Sequence, residues 1–203
     1  MRRTSTITFV FLAMILTARS GIDLTPSTEE YVSEGIKYQK LIFRTDKQRV
    51  EYNPPPGWTA HGDAERVQMT PPKKRFAEAL IEAVPLGVSQ PLDDKNIKVL
   101  EQQFISSLPP GSEFVTVVSE ERNPVLLDGN PTFEVIVSYQ VIGERFLKSC
   151  LFANLPDTQL IFRLAAQKDD FEALHTDFRR SIFSWHRVEP KQSAQEAGVS
   201  AGR

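Results

Sequence analysis

The side chains best suited to acid–base or metal chemistry are three histidines, His61, His175 and His186. His175 and His186 are eleven positions apart in a segment with helical periodicity. At the rise of a helix they would lie about 16 Å from each other, too far to share one metal ion. His61 follows Trp58 in a predicted loop. We therefore expect surface or sheet-edge histidines without a ligand role, and assign no catalytic, cofactor-binding or metal residue.

The single cysteine, Cys150, excludes an intramolecular disulfide, so the hydrophobic core must hold the fold. Its apolar surroundings predict a small buried residue on a strand. The sequence contains no Gly-x-Ser-x-Gly nucleophile elbow and no His-Glu-x-x-His zinc-binding motif. It also contains no phosphate-binding loop and no dinucleotide-binding fingerprint. It therefore indicates no cofactor.

Acidic and basic clusters have simpler explanations than chemistry. Of three acidic pairs, Asp93-Asp94 and Asp169-Asp170 fall where helices are predicted to begin, and there they favour capping over cation binding. The basic run at 73–75 follows two prolines and predicts a solvated loop, with an anionic partner or a lipid head group as the alternative. Trp58 and Trp185 are expected in the core.

The first twenty residues have the order of a secretory signal peptide. A basic start is followed by an apolar run over residues 7–16 and by small residues at Ala18 and Ser20. The run is shorter than the roughly 20 residues that span a bilayer. We expect cleavage before Gly21 and a mature chain, periplasmic or secreted, without a membrane span.

Removing residues 1–20 leaves 21 basic and 26 acidic residues, a net charge of −5. This moderate acidity argues against nucleic acid as a partner. The sequence predicts a polar lead-in over 21–38, one domain over 39–189 and a disordered tail over 190–203.

The elements that position these residues follow from periodicity. Ile97, Leu100 and Phe104 predict a helix over 93–108 that ends at two prolines. A second helix is predicted to begin with Asp169 as its capping residue and to extend to Trp185. Its apolar side chains recur every three or four residues and form one stripe: Phe171, Leu174, Phe178, Ile182 and Trp185. The predicted strands cover residues 41–45, 49–52, 59 onward, 66–70, 76–86, 113–121, 133–141, 145–155 and 160–166. The last three are expected to form an antiparallel meander under the closing helix.

This order of elements resembles the PsbP-like and Mog-like fold. The resemblance is carried by Tyr52 to Trp58 (YNPPPGW) and by the stretch from Tyr139 to Glu189. It implies an α+β protein, with an antiparallel sheet covered by helices in an α/β/α sandwich and the C-terminal helix packed on the meander. It also implies a binding or assembly role. No residue of this sequence can be matched to a metal or partner site of the family.

We therefore expect a secreted, non-enzymatic binding or accessory protein whose partner is another envelope protein. One alternative is an extracytoplasmic, hydrolase-like enzyme, which requires a cleft with converging polar groups. Another is a small-ligand carrier, which requires a cavity between sheet and helix.

Overall fold

The computed structural model describes residues 21–45 and 48–188, which fold into antiparallel β-sheet and two α-helices. The strands are β1 (Ile22–Ser33), β2 (Ile36–Thr45), β3 (Arg49–Tyr52), β4 (Thr59–Gly62), β5 (Arg66–Thr70), β6 (Glu78–Pro85), β7 (Glu113–Arg122), β8 (Thr132–Val141), β9 (Glu144–Asn154), β10 (Thr158–Gln167) and β11 (His186–Val188). The helices are α1 (Asp94–Ser106) and α2 (Lys168–Ile182). The predicted signal segment and tail lie outside the described residues.

The larger sheet has seven strands in the order β4-β5-β6-β10-β9-β8-β7. Its centre is the predicted meander, which is confirmed: β8 pairs with β9, and β9 with β10. Cys150 lies opposite Val135 on one side and Arg163 on the other. The strand predicted over 76–86 is also confirmed, since β6 pairs with β10.

One face of this sheet is covered in part by α1. Ile97, Leu100 and Phe104 are buried in one cluster with Phe133 and Val135 of β8. Asp93 caps the helix, and its carboxylate accepts from the backbone N–H of Asn96 at 2.8 Å. The predicted helix and its acidic start are therefore confirmed.

The opposite face carries α2 and the smaller sheet, whose order is β1-β2-β3-β11. Phe171 and Phe178 of α2 share a cluster with Phe162 of β10 and Phe43 of β2. Phe162 follows Ile161, which belongs to the cluster under α1. Because successive strand residues point to opposite faces, the two helices lie on opposite sides of the seven-stranded sheet.

The prediction of a loose lead-in over 21–38 was wrong, because this segment forms β1 and the start of β2. Ile22 and Leu24 are buried and anchor β1 in the core. Glu34 and Gly35 both have positive φ, 51° and 77°, as a tight two-residue hairpin turn requires. The polar sequence hides the hairpin because most of its side chains face solvent.

The closing helix ends earlier than its apolar stripe suggests. The helix stops at Ile182, so Trp185 lies beyond it and His186 belongs to β11. Ser184 Oγ donates to the Ser181 carbonyl at 2.6 Å, which offers the backbone an alternative to another helical turn. The placement of both histidines on one helix was therefore wrong.

The start of α2 also differs from prediction. The helix begins at Lys168 after Gln167, which makes no side-chain cap, so Asp169 is not the capping residue. β10 runs directly into the helix and leaves no loop residue to serve as a cap. Asp169 and Asp170 instead lie in the first turn, where the helix dipole favours negative charge.

Candidate functional site

The most exposed ordered feature of the smaller sheet is the far half of its first hairpin. We call residues 27–40 the arm. From Ser27 to Gly35 every side chain on the arm is exposed. Tyr31 and Val32 are 37% and 65% exposed, and on β7 of the larger sheet Phe114 and Val118 are exposed as well, at 76% and 54%.

Local contacts keep the arm regular without a core beneath it. Tyr31 and Tyr38 lie opposite each other across the hairpin, and their rings stack at 5.4 Å between centroids. Lys40 Nζ lies 5.5 Å from the centre of the Tyr31 ring, within cation–π range. Such cross-strand pairs each stabilise a hairpin by about 0.2–1 kcal/mol.

Lys40 also joins the base of the arm to the smaller sheet. Its ammonium lies 2.5 Å from the carboxylate of Glu51 on β3, whose side chain is only 6% exposed. Arg49 and His186 approach the same carboxylate at 2.6 and 3.6 Å. The hydrogen bond from Lys40, together with the charges around it, lowers the pKa of Glu51 below its usual value.

A groove of about 370 Å³ lies between the arm and the turn that follows β3. One wall comes from the arm and the other from the proline turn and the start of β4. The lining residues are Glu30, Lys37, Tyr38, Gln39, Asn53, Pro54, Pro55, Pro56, Gly57, Trp58 and Thr59.

The floor of the groove is fixed by the core. Trp58 is only 5% exposed and stacks on Phe178 of α2, with centroids 6.1 Å apart and an interplanar angle of 5°. The backbone N–H of Trp58 donates to the Pro55 carbonyl at 3.1 Å, and Gly57 has a φ of 78°. A rigid turn above the buried Trp58 ring therefore presents proline surface toward the arm.

His175 takes part in a partly buried network of polar contacts and ion pairs away from the groove. Its Nε2 lies 2.7 Å from Glu134 of β8, whose side chain is 5% exposed. Arg179 lies 3.4 Å from Glu134 and 2.9 Å from Glu121. The hydrogen bond to Glu121 raises the pKa of Arg179, so the cation is firmly held. The network ties α2 to β8 and β7.

The three histidines are not brought together. His61 is exposed on β4, His175 lies on α2 and His186 is exposed on β11. Over residues 21–45 and 48–188, no group of three or more His, Cys, Asp or Glu side chains is placed to hold a metal ion.

Cys150 and the two tryptophans lie where the sequence places them. Cys150 is fully buried on β9, and burial raises the pKa of its thiol to about 12. Trp58 and Trp185 are both core residues. The basic run at 73–75 is an exposed loop, and Lys74 pairs with Asp170 at 2.5 Å.

A second concavity of about 280 Å³ lies on the α1 side of the larger sheet. Tyr139 and Phe146 stack in its wall at 5.7 Å, and the exposed Phe76 lies at its rim. Burial raises the pKa of Tyr139. Neither concavity is lined by the buried stripe of α2, which packs directly into the core.

Comparison with solved structures identifies the architecture. The solution structure of cyanobacterial PsbP (CyanoP) from Synechocystis sp. PCC 6803 matches with a TM-score of 0.51 and 14% identity, over 85% of this chain and 99% of that one. The fold is PsbP-like. A crystal structure of a protein of unknown function from Pseudomonas aeruginosa matches at a TM-score of 0.41 and 11% identity, over 81% of this chain and 97% of that one.

No protein-family model matches the sequence, and no curated protein does so at a significant level. The structural likeness therefore establishes the α+β fold alone. Within the described part of the chain, neither helix has the length and apolar character needed to cross a membrane.

The arm and its groove are absent from the sequence-based assignments. They fall in a segment interpreted as a loose lead-in. Its available signals were the β-prone residues Tyr31 and Val32 and the Glu34-Gly35 turn.

Proposed function

We propose that this protein is an extracytoplasmic, non-enzymatic binding or assembly protein that docks onto another envelope protein through the arm. The proposal includes the α/β/α sandwich of the PsbP-like and Mog-like type and the secretory role of residues 1–20. The observation that carries it is the exposed pair Tyr31 and Val32 on an ordered hairpin that projects from the smaller sheet.

The energetics of the arm favour a partner. A two-stranded hairpin without a core is marginally stable in water, and exposed strand edges invite pairing with another chain. Fully burying a large apolar side chain contributes about 1.5–3 kcal/mol. Successive strand residues point to opposite faces, so Tyr31 and Val32 place one apolar side chain on each face of the arm. A partner that covers either face would gain part of that energy. Tyrosine is also enriched at protein interfaces.

The N-terminal segment agrees with an extracytoplasmic site of action. The proposed mature chain begins at Gly21, and the next residue, Ile22, is only 2% exposed. Gly21 N–H lies 3.3 Å from the hydroxyl of Thr158 on β10. Cleavage before Gly21 would leave the anchored start of β1 intact.

The test starts from the mature chain, residues 21–203, used to isolate its partner from the cell envelope by cross-linking and mass spectrometry. Affinity for the purified partner is then measured for the wild type and for the double variant Tyr31→Ser/Val32→Ser. We expect at least a tenfold loss of affinity. Neither side chain belongs to the buried core, and amide exchange within the arm of the free variant shows whether loss of the Tyr31–Tyr38 stack has opened the hairpin.

The matched control is Val88→Ser/Leu126→Ser, two apolar residues that are 77% and 59% exposed outside the arm. We expect this variant to bind within twofold of wild type. Equal affinity of the arm variant and the control would refute docking through the arm. Failure to isolate any partner would move the interpretation to the enzyme or ligand-carrier alternatives.

A further inference from the structure

Among residues 21–45 and 48–188, no strand pairs with one edge of β2 beside the groove. β1 pairs with β2 from Thr45 to Ile36, with one bulge between Asp23 and Ser27. On the other side, β3 pairs only with residues 41–44 of β2. Residues 36–40 therefore have a neighbouring strand on one side only, over about 16 Å. We call this edge the notch.

The sequence explains why β3 does not continue along the notch. Asn53 is followed by three prolines, which cannot donate to a sheet ladder. The backbone of Asn53 is also engaged elsewhere, since its N–H donates to Ser184 Oγ at 2.8 Å. The chain therefore turns toward the end of α2 and leaves the place of the next strand open.

The backbone of the notch indicates what could fill it. In an antiparallel strand, alternate residues direct both their N–H and their C=O toward the same neighbour. Two or three residues within 36–40 must therefore direct both groups toward the groove. Another extended backbone matches such a repeated pattern of donors and acceptors and can replace the water that otherwise solvates it.

The side chains around the notch favour an apolar residue on that strand. Tyr38 and the prolines form the walls, and Trp58 is held rigid by Phe178. The lining includes both Lys37 and Glu30, so the site favours neither an anion nor a cation. Lysine on an open edge also discourages indiscriminate pairing.

We infer that the notch binds an extended peptide segment of a partner protein as an added strand in line with β3, with an apolar side chain between Tyr38 and the proline turn. This inference rests on the proposed function and names the kind of segment that the partner presents. Strand addition would extend the smaller sheet and cover the exposed side of the arm.

The test selects peptides from a random, displayed ten-residue library on the mature chain, residues 21–203. The strongest peptide is synthesised, together with versions N-methylated at alternate backbone amides. We expect methylation of one alternating set to weaken binding at least tenfold, and methylation of the other set to change it less than threefold. Amide exchange of alternate residues within 36–40 should slow at least tenfold when the peptide is bound.

The matched pair of variants is Tyr38→Ala and Tyr31→Ala. Each removes one ring of the same stack, but only Tyr38 lines the groove. We expect Tyr38→Ala to weaken peptide binding at least tenfold and Tyr31→Ala to change it less than threefold.

Selection of no peptide, or protection of amides outside the arm, would overturn the inference. A purified partner that loses affinity for the Tyr31→Ser/Val32→Ser variant would then still support docking through the arm. A partner indifferent to that variant would overturn the proposed function instead, so the two failures are distinct.

Discussion

Glu51 provides a quantitative test of how the arm is anchored. Its carboxylate is nearly buried and lies within 2.6 Å of Lys40 and Arg49, with His186 at 3.6 Å. The substitution Glu51→Gln preserves the shape of the side chain and removes its charge. Lys40 would then keep an amide oxygen as a hydrogen-bond acceptor but lose its ion pair.

Hydrogen bonds to charged groups contribute about 1.5–3 kcal/mol each. Because the amide retains part of one such bond, we expect Glu51→Gln to lower the free energy of unfolding by about 2 kcal/mol at pH 7. The folded-state pKa of Glu51 lies below its usual value. Its stabilising contribution is therefore complete above the unfolded pKa of about 4.3 and disappears as pH falls through the folded value.

The assay is urea denaturation of both proteins between pH 3 and pH 7. The gap between wild type and Glu51→Gln should be widest at neutral pH and close toward pH 3. Glu144→Gln, at an exposed residue of β9, is the control and should change stability by less than about 0.5 kcal/mol. A gap that stays constant with pH, or none at pH 7, would refute the anchoring role of the carboxylate.

Two further outcomes follow from the fold, and a third from the sequence. Phe178→Ala, which removes the ring beneath Trp58, should cost about 3–5 kcal/mol in urea denaturation, whereas Phe183→Ala, at a residue 65% exposed, should cost little. Cys150, buried and with its pKa raised to about 12, should resist an aromatic disulfide reagent at pH 8 in the native protein and react after unfolding. The signal peptide predicted from the sequence of residues 1–20, rather than the fold, leads us to expect that N-terminal sequencing of protein recovered from the cell envelope begins at Gly21.

The central sheet was predictable because a strand or helix that buries one face has apolar residues at regular intervals in its sequence. Phe133, Val135 and Val137 alternate along β8 because all three face α1. The stripe of α1 repeats every three or four residues for the same reason. Where an element buries one face, hydrophobic residues mark that face.

The arm was missed because its first strand has neither a buried face nor an apolar run. β7 also buries no side chain, but its apolar run from Phe114 to Val118 indicates a strand. Between Ser27 and Gly35 no side chain is buried, so no alternation marks the strand. The hairpin instead rests on the Glu34-Gly35 turn and on the stacking of Tyr31 with Tyr38. Both are local features whose effect depends on the anchor at Ile22.

The groove lay beyond sequence reasoning for a different reason. Trp58 is held by Phe178, and Asn53 by Ser184, across more than a hundred residues of chain. Spacing along the sequence cannot show such contacts. His175 is a similar case. The sequence favoured a surface or sheet-edge position for it, but in the structure it contacts Glu134, which lies on another element.

The most direct test of docking through the arm is photo-cross-linking in living cells, with a benzophenone amino acid placed at Val32 or at Val88. Both positions are exposed, at 65% and 77%, but only Val32 lies on the arm. We predict a cross-link from Val32 to one envelope protein and no such product from Val88. The absence of a product at Val32, or the same product from both positions, would contradict the account.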